Sequence, residues 1–107
     1  MNNNLGIILD PNSFKNIKEV VKKADNYNFH SAWVTELYRS SFEQLTFIAE
    51  ITKNIKIGSA VTLAFIRSPL ITAISAMDID SLSNGRLILG LGSVSYTHLT
   101  LPTKRIV

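Results

Sequence analysis

Cysteine is absent from this sequence of 107 residues, and only two histidines are present, His30 and His98. The chain therefore has no disulfide framework, no thiolate metal site and no histidine cluster of the kind that binds zinc. It also lacks a run of about 18 or more apolar residues, and its N-terminus lacks a basic segment followed by an apolar one. We therefore expect no metal, no membrane contact and a cytoplasmic location.

A marked excess of charge of one sign is also absent. The formal net charge is +3, but two of the eleven Lys and Arg residues, Lys104 and Arg105, lie near the C-terminus. The nine other basic residues are balanced by eight acidic ones, and no basic cluster is interleaved with aromatic residues. We therefore expect no nucleic-acid partner.

Residues 94–107 differ in character from the rest of the chain. The string V-S-Y-T-H-L-T-L-P-T at residues 94–103 resembles the translation of a transposase adapter used in DNA library preparation. The alternative is a genuine C-terminal strand, because these residues have β-propensity. We expect residues 94–107 to be an adapter-encoded tail, which leaves residues 1–93 to carry the fold.

Short apolar runs alternate with amphipathic segments along residues 1–93. Runs at residues 5–9, 31–34, 55–59 and 86–92 are typical of strands buried on both faces. Helix starts are predicted at Ser13, at Ser40 with Glu43 as a capping box, and at Ser68 followed by Pro69. Helix ends are predicted at Asn28, at residues 53–54 and at residues 84–85.

The spacing of apolar residues predicts the buried face of each helix. For the first helix these are Phe14, Ile17, Val20, Val21, Ala24 and Tyr27. For the second they are Phe42, Leu45, Ile48, Ala49 and Thr52, and for the third Leu70, Ala73, Ile74, Met77 and Leu82.

The order β-α-β-α-β-α-β predicts an α/β fold with a parallel sheet, right-handed crossovers and helices packed outside it. Two architectures fit this order, an open doubly wound sheet and half of an eight-stranded (β/α)8 TIM barrel. The doubly wound sheet would suit a non-catalytic ligand-binding or regulatory domain, for which Asp10 is the one acidic residue directly after the first strand. Periodicity alone does not separate the two.

Four motifs resemble the luciferase-like superfamily of flavin- and deazaflavin-dependent oxidoreductases. They are A-W-V-T-E at residues 32–36, T-K-N-I-K-I-G-S-A-V-T at 52–62, R-S-P at 67–69 and A-M-D-I-D-S-L-S-N-G-R-L-I-L-G-L-G at 76–92. Each motif falls on the expected strand or turn, in the family's order. Within the superfamily, the R-S-P and W-V-T-E contexts are most similar to methylenetetrahydromethanopterin reductase and its deazaflavin-dependent relatives.

The resemblance implies a barrel of about 300 residues or more, of which this chain would be the N-terminal half, with four strands. It also implies hydride transfer between coenzyme F420 or FMN and a small-molecule organic substrate, by a parent protein that forms a homo-oligomer. We expect the 107-residue polypeptide by itself to be inactive, because two sheet edges and the inner face would be left uncovered.

Barrel active sites lie at the C-terminal ends of the strands, and the resemblance places candidate residues there. Glu36 corresponds to an acid near the reacting part of the ring, and it could move a proton if burial raised its pKa. Many members have a histidine after this acid, where this chain has Leu37. Ala60 and Val61 correspond to a non-proline cis peptide behind the cofactor ring, and Thr62 and Gly92 are further cofactor-binding candidates.

Structural roles are expected for other polar and aromatic residues near these motifs. Arg39 is a possible partner for Glu36, and Arg67 either reaches an anionic ligand group or fixes its loop onto the barrel. Asp80 and Arg86 are expected to pair at the corner between the third helix and the fourth strand. Trp33 is expected to be a packing residue, His30 a loop residue, and Gly90 a point of close backbone approach.

Overall fold

The computed structural model describes residues 5–93. The predicted tail, residues 94–107, lies outside the described residues, so its origin stays a prediction. Three helices alternate with short strands: β1 Gly6–Ile8, α1 Phe14–Asn26, β2 Ser31–Val34, α2 Ser41–Ile51, β3 Lys56–Ser59, β4 Thr62–Leu63, α3 Pro69–Leu82, β5 Leu87–Ile88 and β6 Leu91–Gly92.

All strand pairs are parallel, and the main sheet has the order β1-β2-β3-β5. Each strand therefore lies beside the next one along the chain, without the reversal of order that defines a doubly wound sheet. Within residues 5–93, the helices pack on one face of this sheet, through Ala32, Val34 and Ile57. Sequential strands with helices on one side are the arrangement of a (β/α) barrel, so the doubly wound alternative is not supported.

The predicted third and fourth strands are each divided in two. The peptide bond between Ala60 and Val61 is cis, and it separates β3 from β4. Across this interruption the Ser59 hydroxyl donates to the Gly90 carbonyl (2.9 Å) and accepts from the Gly90 N–H (3.1 Å). The β4–β6 ladder then begins, with the Thr62 N–H donating to the Gly90 carbonyl (2.7 Å). The Ser59 side chain thus bridges the two ladders.

Gly90 is required by this arrangement. A Cβ atom at residue 90 would lie 2.2 Å from the Ser59 carbonyl oxygen, closer than any side chain can approach. The expected close backbone approach at Gly90 is confirmed.

Two of the predicted helix starts are confirmed in detail. The Ser13 hydroxyl accepts from the Asn16 N–H (3.1 Å), and the Ser68 hydroxyl accepts from the Ile71 N–H (3.1 Å). Each bond satisfies a backbone donor that the first turn of a helix leaves free. Pro69 is the first residue of α3, as predicted.

The predicted capping box at the start of α2 is wrong. Ser40 is the N-cap residue, but its side chain makes no cap hydrogen bond. The carboxylate of Glu36 instead accepts from the Ser41 N–H at 2.9 Å. An acid from the preceding loop, five residues before Ser41, therefore caps the helix, a contact that the spacing of Ser40 and Glu43 does not reveal.

Two helices end at asparagines in the left-handed conformation. Asn28 has φ 63° after α1, and Asn84 has φ 58° after α3. Asparagine tolerates this conformation better than most residues, so both predicted helix ends are confirmed.

The buried face of α2 is as predicted, whereas those of α1 and α3 differ. In α1, Ile17, Val21 and Ala24 are buried, but Val20 and Tyr27 are exposed. In α3, the buried residues are Thr72 and Ile79, and the predicted face is exposed, including Leu70 (68%), Ile74 (46%), Met77 (70%) and Leu82 (46%). Apolar residues surround α3 on nearly all sides, so their spacing does not select the side that meets the sheet.

Two charged residues fix the loop between α2 and β3 at the N-terminal end of the sheet. The Asp25 carboxylate accepts from the backbone N–H groups of residues 53, 54 and 55, at 2.8, 3.0 and 2.9 Å. Burial by itself raises the pKa of Asp25, but these bonds and the charge of Arg86 outweigh it and lower the pKa. The Arg86 guanidinium donates to the carbonyls that end α2 and begin β3, those of Ala49, Thr52 and Ile55.

The predicted pair of Asp80 and Arg86 is wrong. All five N–H groups of Arg86 are used, by the three carbonyls above, by the Thr52 hydroxyl (2.8 Å) and by the Ser83 carbonyl (2.6 Å). Asp80 instead accepts from the Leu87 N–H at 3.2 Å. The corner between α3 and β5 is still held, but by a bond from the backbone of Leu87 to the side chain of Asp80.

We predict that Arg86→Ala lowers the free energy of unfolding of the complete protein by about 3 kcal/mol, because several buried carbonyls lose their donor. Equilibrium urea unfolding measures the change. The matched control is Lys22→Ala, an exposed cation on α1, expected to change stability by no more than about 0.5 kcal/mol. Equal stability of both variants would contradict the role assigned to Arg86.

Candidate functional site

The loops after β1, β2 and β3 meet at the C-terminal ends of the strands. Arg39 joins the first two loops, donating to the carbonyls of Pro11 (2.6 Å) and Asn12 (2.9 Å). Its guanidinium lies 4.9 Å above the Phe14 ring, a cation–π distance. Arg39 is thus committed to the β1 loop, and the predicted pairing with Glu36 is wrong.

Glu36 pairs instead with Arg67, from the loop before α3. The two side chains meet in a bidentate salt bridge, with Nη1 of Arg67 at 3.0 Å from Oε1 and Nη2 in contact with Oε2. Only 7% of the Glu36 side chain and 17% of the Arg67 side chain are exposed. Arg67 also lies 4.7 Å above the Phe42 ring. The prediction that Arg67 fixes its loop is confirmed.

Three further donors complete the surroundings of the Glu36 carboxylate. The Leu63 N–H donates to Oε1 at 2.7 Å, and the Ser41 N–H and hydroxyl donate to Oε2 at 2.9 and 3.1 Å. Five donors therefore address two oxygens, which offer about four lone-pair sites. The carboxylate has no acceptor capacity left for a substrate.

The Ser41 hydroxyl extends this network to Thr62. The two hydroxyl oxygens are 2.9 Å apart, and both side chains are fully buried. Because Ser41 donates to Glu36, Thr62 must donate to Ser41. The Thr62 hydroxyl is thereby directed into the protein. Direct bonding of this hydroxyl to a cofactor is not supported, and cofactor binding by Thr62 stays a prediction.

The electrostatics of Glu36 differ from what a general acid requires. Burial by itself raises the pKa of the carboxyl, but hydrogen bonds from Arg67, Leu63 and Ser41, together with the charge of Arg67, lower it below its ordinary value. The hydrogen bond to Glu36 correspondingly raises the pKa of Arg67. Both groups stay charged at neutral pH, and the donors to the Glu36 carboxylate hold the start of α2, β4 and the loop before α3 together. The predicted catalytic role of Glu36 stays a prediction.

The cofactor-binding candidates Ala60, Val61 and Gly92 lie together. The cis peptide implied by the resemblance is present between the first two. Gly92 lies against Val61, since a Cβ atom at residue 92 would be 2.7 Å from Cγ2 of Val61. Ala60 is exposed and Val61 partly so. The three form a small, uncharged rim at the ends of β3 and β6, which a planar ring could approach closely.

A groove away from the candidate residues is a second place where a ligand could bind. A groove of about 650 Å³ lies among the three helices, and no candidate site residue lines it. Its lining residues are Phe14, Phe42, Glu43, Thr46, Phe47, Ser75, Asp78, Ile79 and Leu82. We prefer the strand ends to this groove because barrel sites form there.

Within residues 5–93, no group of three or more His, Cys, Asp or Glu could hold a metal ion, and no helix is long and apolar enough to cross a membrane.

Sequence reasoning missed Ser41 and Ser59. The sequence places Ser41 at a predicted helix start and Ser59 at a predicted strand end, whereas in the structure Ser41 connects Glu36 to Thr62 and Ser59 bridges the strand interruption. No local pattern distinguishes such hydroxyls from capping or surface serines. The one available signal is that Ser59 ends β3 and Ser41 begins α2, both at the side of the sheet where the strands end.

The sequence model of a family described as luciferase-like monooxygenase matches residues 2–100 of this chain. The chain belongs to the luciferase-like monooxygenase family. A relative in sequence is the 5,10-methylenetetrahydromethanopterin reductase of Methanopyrus kandleri, 38% identical over 78 residues, which cover 71% of this chain and 22% of the reductase. An uncharacterized protein of Mycobacterium tuberculosis is 32% identical over 89 residues, covering 83% of this chain and 26% of the relative.

Solved structures agree with this membership in the luciferase-like family. The coenzyme F420-dependent tetrahydromethanopterin reductase from Methanopyrus kandleri matches with a TM-score of 0.82 and 34% identity, over 90% of this chain and 28% of that one. The oxygenating constituent of 3,6-diketocamphane monooxygenase from Pseudomonas putida, in complex with FMN, matches with a TM-score of 0.76 over 100% of this chain and 36% of that one; at 20% identity it shows the fold alone.

These matches confirm the family and the fold implied by the resemblance. The structure corresponds to the N-terminal part of a luciferase-like (β/α) barrel. The chain spans about a quarter of the length of the curated relatives it matches.

We predict that Glu36→Gln lowers the free energy of unfolding of the complete protein at pH 7 by about 2 kcal/mol, because Arg67 loses its counter-ion. A carboxyl whose pKa is lowered on folding contributes stability above its ordinary pKa, near 4.5, and this contribution is lost as the pH falls through the folded-state value. The stability difference between wild type and variant should therefore disappear in acid.

Urea unfolding at a series of pH values from neutral to strongly acidic measures this difference. The matched control is Glu50→Gln, an exposed acid on α2, for which no pH-dependent difference is expected. A stability difference between wild type and Glu36→Gln that stayed constant into strong acid would contradict the assigned charge state.

Proposed function

We propose that the complete protein containing this chain is an oxidoreductase that transfers hydride between coenzyme F420 or FMN and a small organic substrate. The observation that carries the proposal is the match to a reductase whose structure is described as F420-dependent, over nearly all of this chain. A monooxygenase structure containing FMN shares the fold. A homo-oligomeric state and a cytoplasmic location are further predictions.

The geometry of the rim supports a planar, uncharged ring as the ligand. Ala60 and Val61 are small and accessible, and Gly92 leaves room beside them. The nearby charges of Glu36 and Arg67 neutralise each other, so they would not oppose an electrically neutral ring. When bound, such a cofactor supplies the hydride chemistry.

The chain's own residues would then act by position. Glu36 holds β4, the start of α2 and the α3 loop in one arrangement through Leu63, Ser41 and Arg67. This arrangement fixes the backbone at residues 60–62 against which the ring would rest. Preorganised contacts of this kind reduce the cost of bringing cofactor and substrate together.

The decisive experiment is titration of FMN and of coenzyme F420 with the complete protein. The fluorescence emission of the cofactor is measured at each step. Quenching of either supports the oxidoreductase and identifies its cofactor. Binding of neither would contradict the proposal. Anaerobic oxidation of the reduced cofactor by an organic acceptor then separates hydride transfer from oxygen chemistry.

We predict that Gly92→Ala weakens cofactor binding about tenfold, because the new methyl group would displace Val61 and overpack the rim. The dissociation constant from the same titration measures the change. Ser93→Ala, at the exposed next position, is the matched control and should bind as wild type does. If Gly92→Ala bound the cofactor as tightly as wild type does, the rim would not be part of the binding site.

We further predict that the 107-residue polypeptide by itself binds neither cofactor and aggregates. Within residues 5–93, Ile8 is 70% exposed and Met77 70%, and β1 and β5 are edge strands of the main sheet. Exposed apolar residues and unpaired strand edges favour association. Size-exclusion chromatography with thermal denaturation tests this, and a monodisperse monomer with one cooperative transition would contradict it.

A further inference from the structure

Two asparagines occupy the same structural position, directly after a helix. Asn28 follows α1 with φ 63°, and Asn84 follows α3 with φ 58°; both are exposed. The N–H of the next residue donates to a carbonyl of the preceding helix in each case, at 3.0 Å from Phe29 and at 2.8 Å from Gly85. Connections between helices and strands run over the surface of a protein, so both sites are accessible to water. The two sites therefore differ mainly in the residue that follows the asparagine.

Glycine after Asn84 favours attack of the backbone on the side-chain amide. Gly85 has φ 80°, and a Cβ atom there would meet nothing within 4 Å. Once its hydrogen bond to α3 opens, the Gly85 nitrogen is free for approach by the Asn84 side chain, because no Cβ atom stands in the way. Among residues 5–93, the Asn84 amide has no hydrogen-bond partner to hold it elsewhere. At Asn28, by contrast, the following Phe29 packs against the core and crowds the corresponding nitrogen.

We propose that Asn84 is a site of spontaneous deamidation in the folded protein, through a succinimide formed with Gly85. The Gly85 nitrogen forms a bond to Cγ of Asn84, the bond from Cγ to the amide nitrogen breaks, and the Gly85 N–H proton leaves with that nitrogen as ammonia. Solvent water then opens the ring. Cleavage of the new bond to Cγ gives aspartate, and cleavage of the backbone carbonyl bond gives isoaspartate. No oxidant, metal or enzyme is required.

Both products place a negative charge at the C-terminal end of α3. This end of a helix already carries a partial negative charge, and α3 has no basic residue in its last turn. Isoaspartate also lengthens the main chain by one carbon atom between residues 84 and 85. The Gly85 N–H is then moved from its carbonyl in α3, and so is Arg86, whose guanidinium binds the α2–β3 loop. Deamidation therefore weakens the corner between α3 and β5.

Incubation of the folded, complete protein in mildly alkaline buffer, followed by trypsin digestion and mass spectrometry, tests the site. Cleavage after Arg67 and Arg86 releases residues 68–86, a peptide in which Asn84 is the only asparagine. We expect it to exchange an amino group for a hydroxyl in mass and to separate into two products, one of them a substrate of isoaspartyl methyltransferase. Asn28, in the peptide of residues 24–39, is the internal control and should react several-fold more slowly.

Two variants of the complete protein separate the reaction from its consequence. Asn84→Gly tolerates the left-handed conformation but has no amide, so its midpoint of urea unfolding should not change on incubation. The midpoint of the wild type should fall as products accumulate. Asn84→Asp supplies the charge without the longer main chain, and its midpoint should lie between those of fresh and incubated wild type.

Two kinds of result would overturn the inference. Deamidation of Asn84 no faster than that of Asn28, or no change of mass in the peptide of residues 68–86, would remove the proposed site. Deamidation of Asn84 with an unchanged midpoint of unfolding would remove its effect on the corner between α3 and β5. Neither result depends on cofactor binding, so the proposed function stands or fails separately.

Discussion

The carboxylate of Glu36 is the contact on which the candidate site depends. It receives donors from three separate parts of the chain: the start of α2, strand β4 and the loop before α3. Because the carboxylate is almost fully buried, each donor is needed to offset the cost of removing the charge from water. The result is a carboxylate held in its charged form, with the backbone after the cis peptide fixed relative to α2. A residue whose sequence position suggests acid–base chemistry is therefore placed to determine geometry.

Two charged side chains, the partly buried Asp25 and the buried Arg86, fix the backbone at the opposite end of the sheet. The Asp25 carboxylate accepts hydrogen bonds from backbone N–H groups of the α2–β3 loop, and the Arg86 guanidinium donates to carbonyls of the same loop. The two residues lie far apart in sequence and bind the backbone of the same loop. In barrels the N-terminal face contributes stability and the C-terminal face contributes chemistry. Among residues 5–93 the charged groups follow that division, since the Glu36 network adjoins the rim formed by Ala60, Val61 and Gly92.

The strands between these two ends owe their close packing to glycine and serine. Gly90 and Ser59 allow β3 and β5 to remain joined where the cis peptide interrupts the ladder. Gly58 and Gly6 leave room for the indole of Trp33 on the inner face. Their absent side chains are replaced by neighbouring protein atoms, which sets the shape of the barrel interior.

The sequence by itself determined the alternation of strands and helices, the caps at Ser13 and Ser68, and the helix ends at Asn28 and Asn84, because these features depend on nearby residues. Its motifs also identified the family and the cis peptide at residues 60–61. The tertiary structure decided which partners the charged residues take: Glu36 pairs with Arg67 and not Arg39, and Arg86 caps α2 and does not pair with Asp80. It also decided that α3 meets the sheet through Thr72 and Ile79. Such choices depend on atoms brought together from distant positions, and no local spacing encodes them.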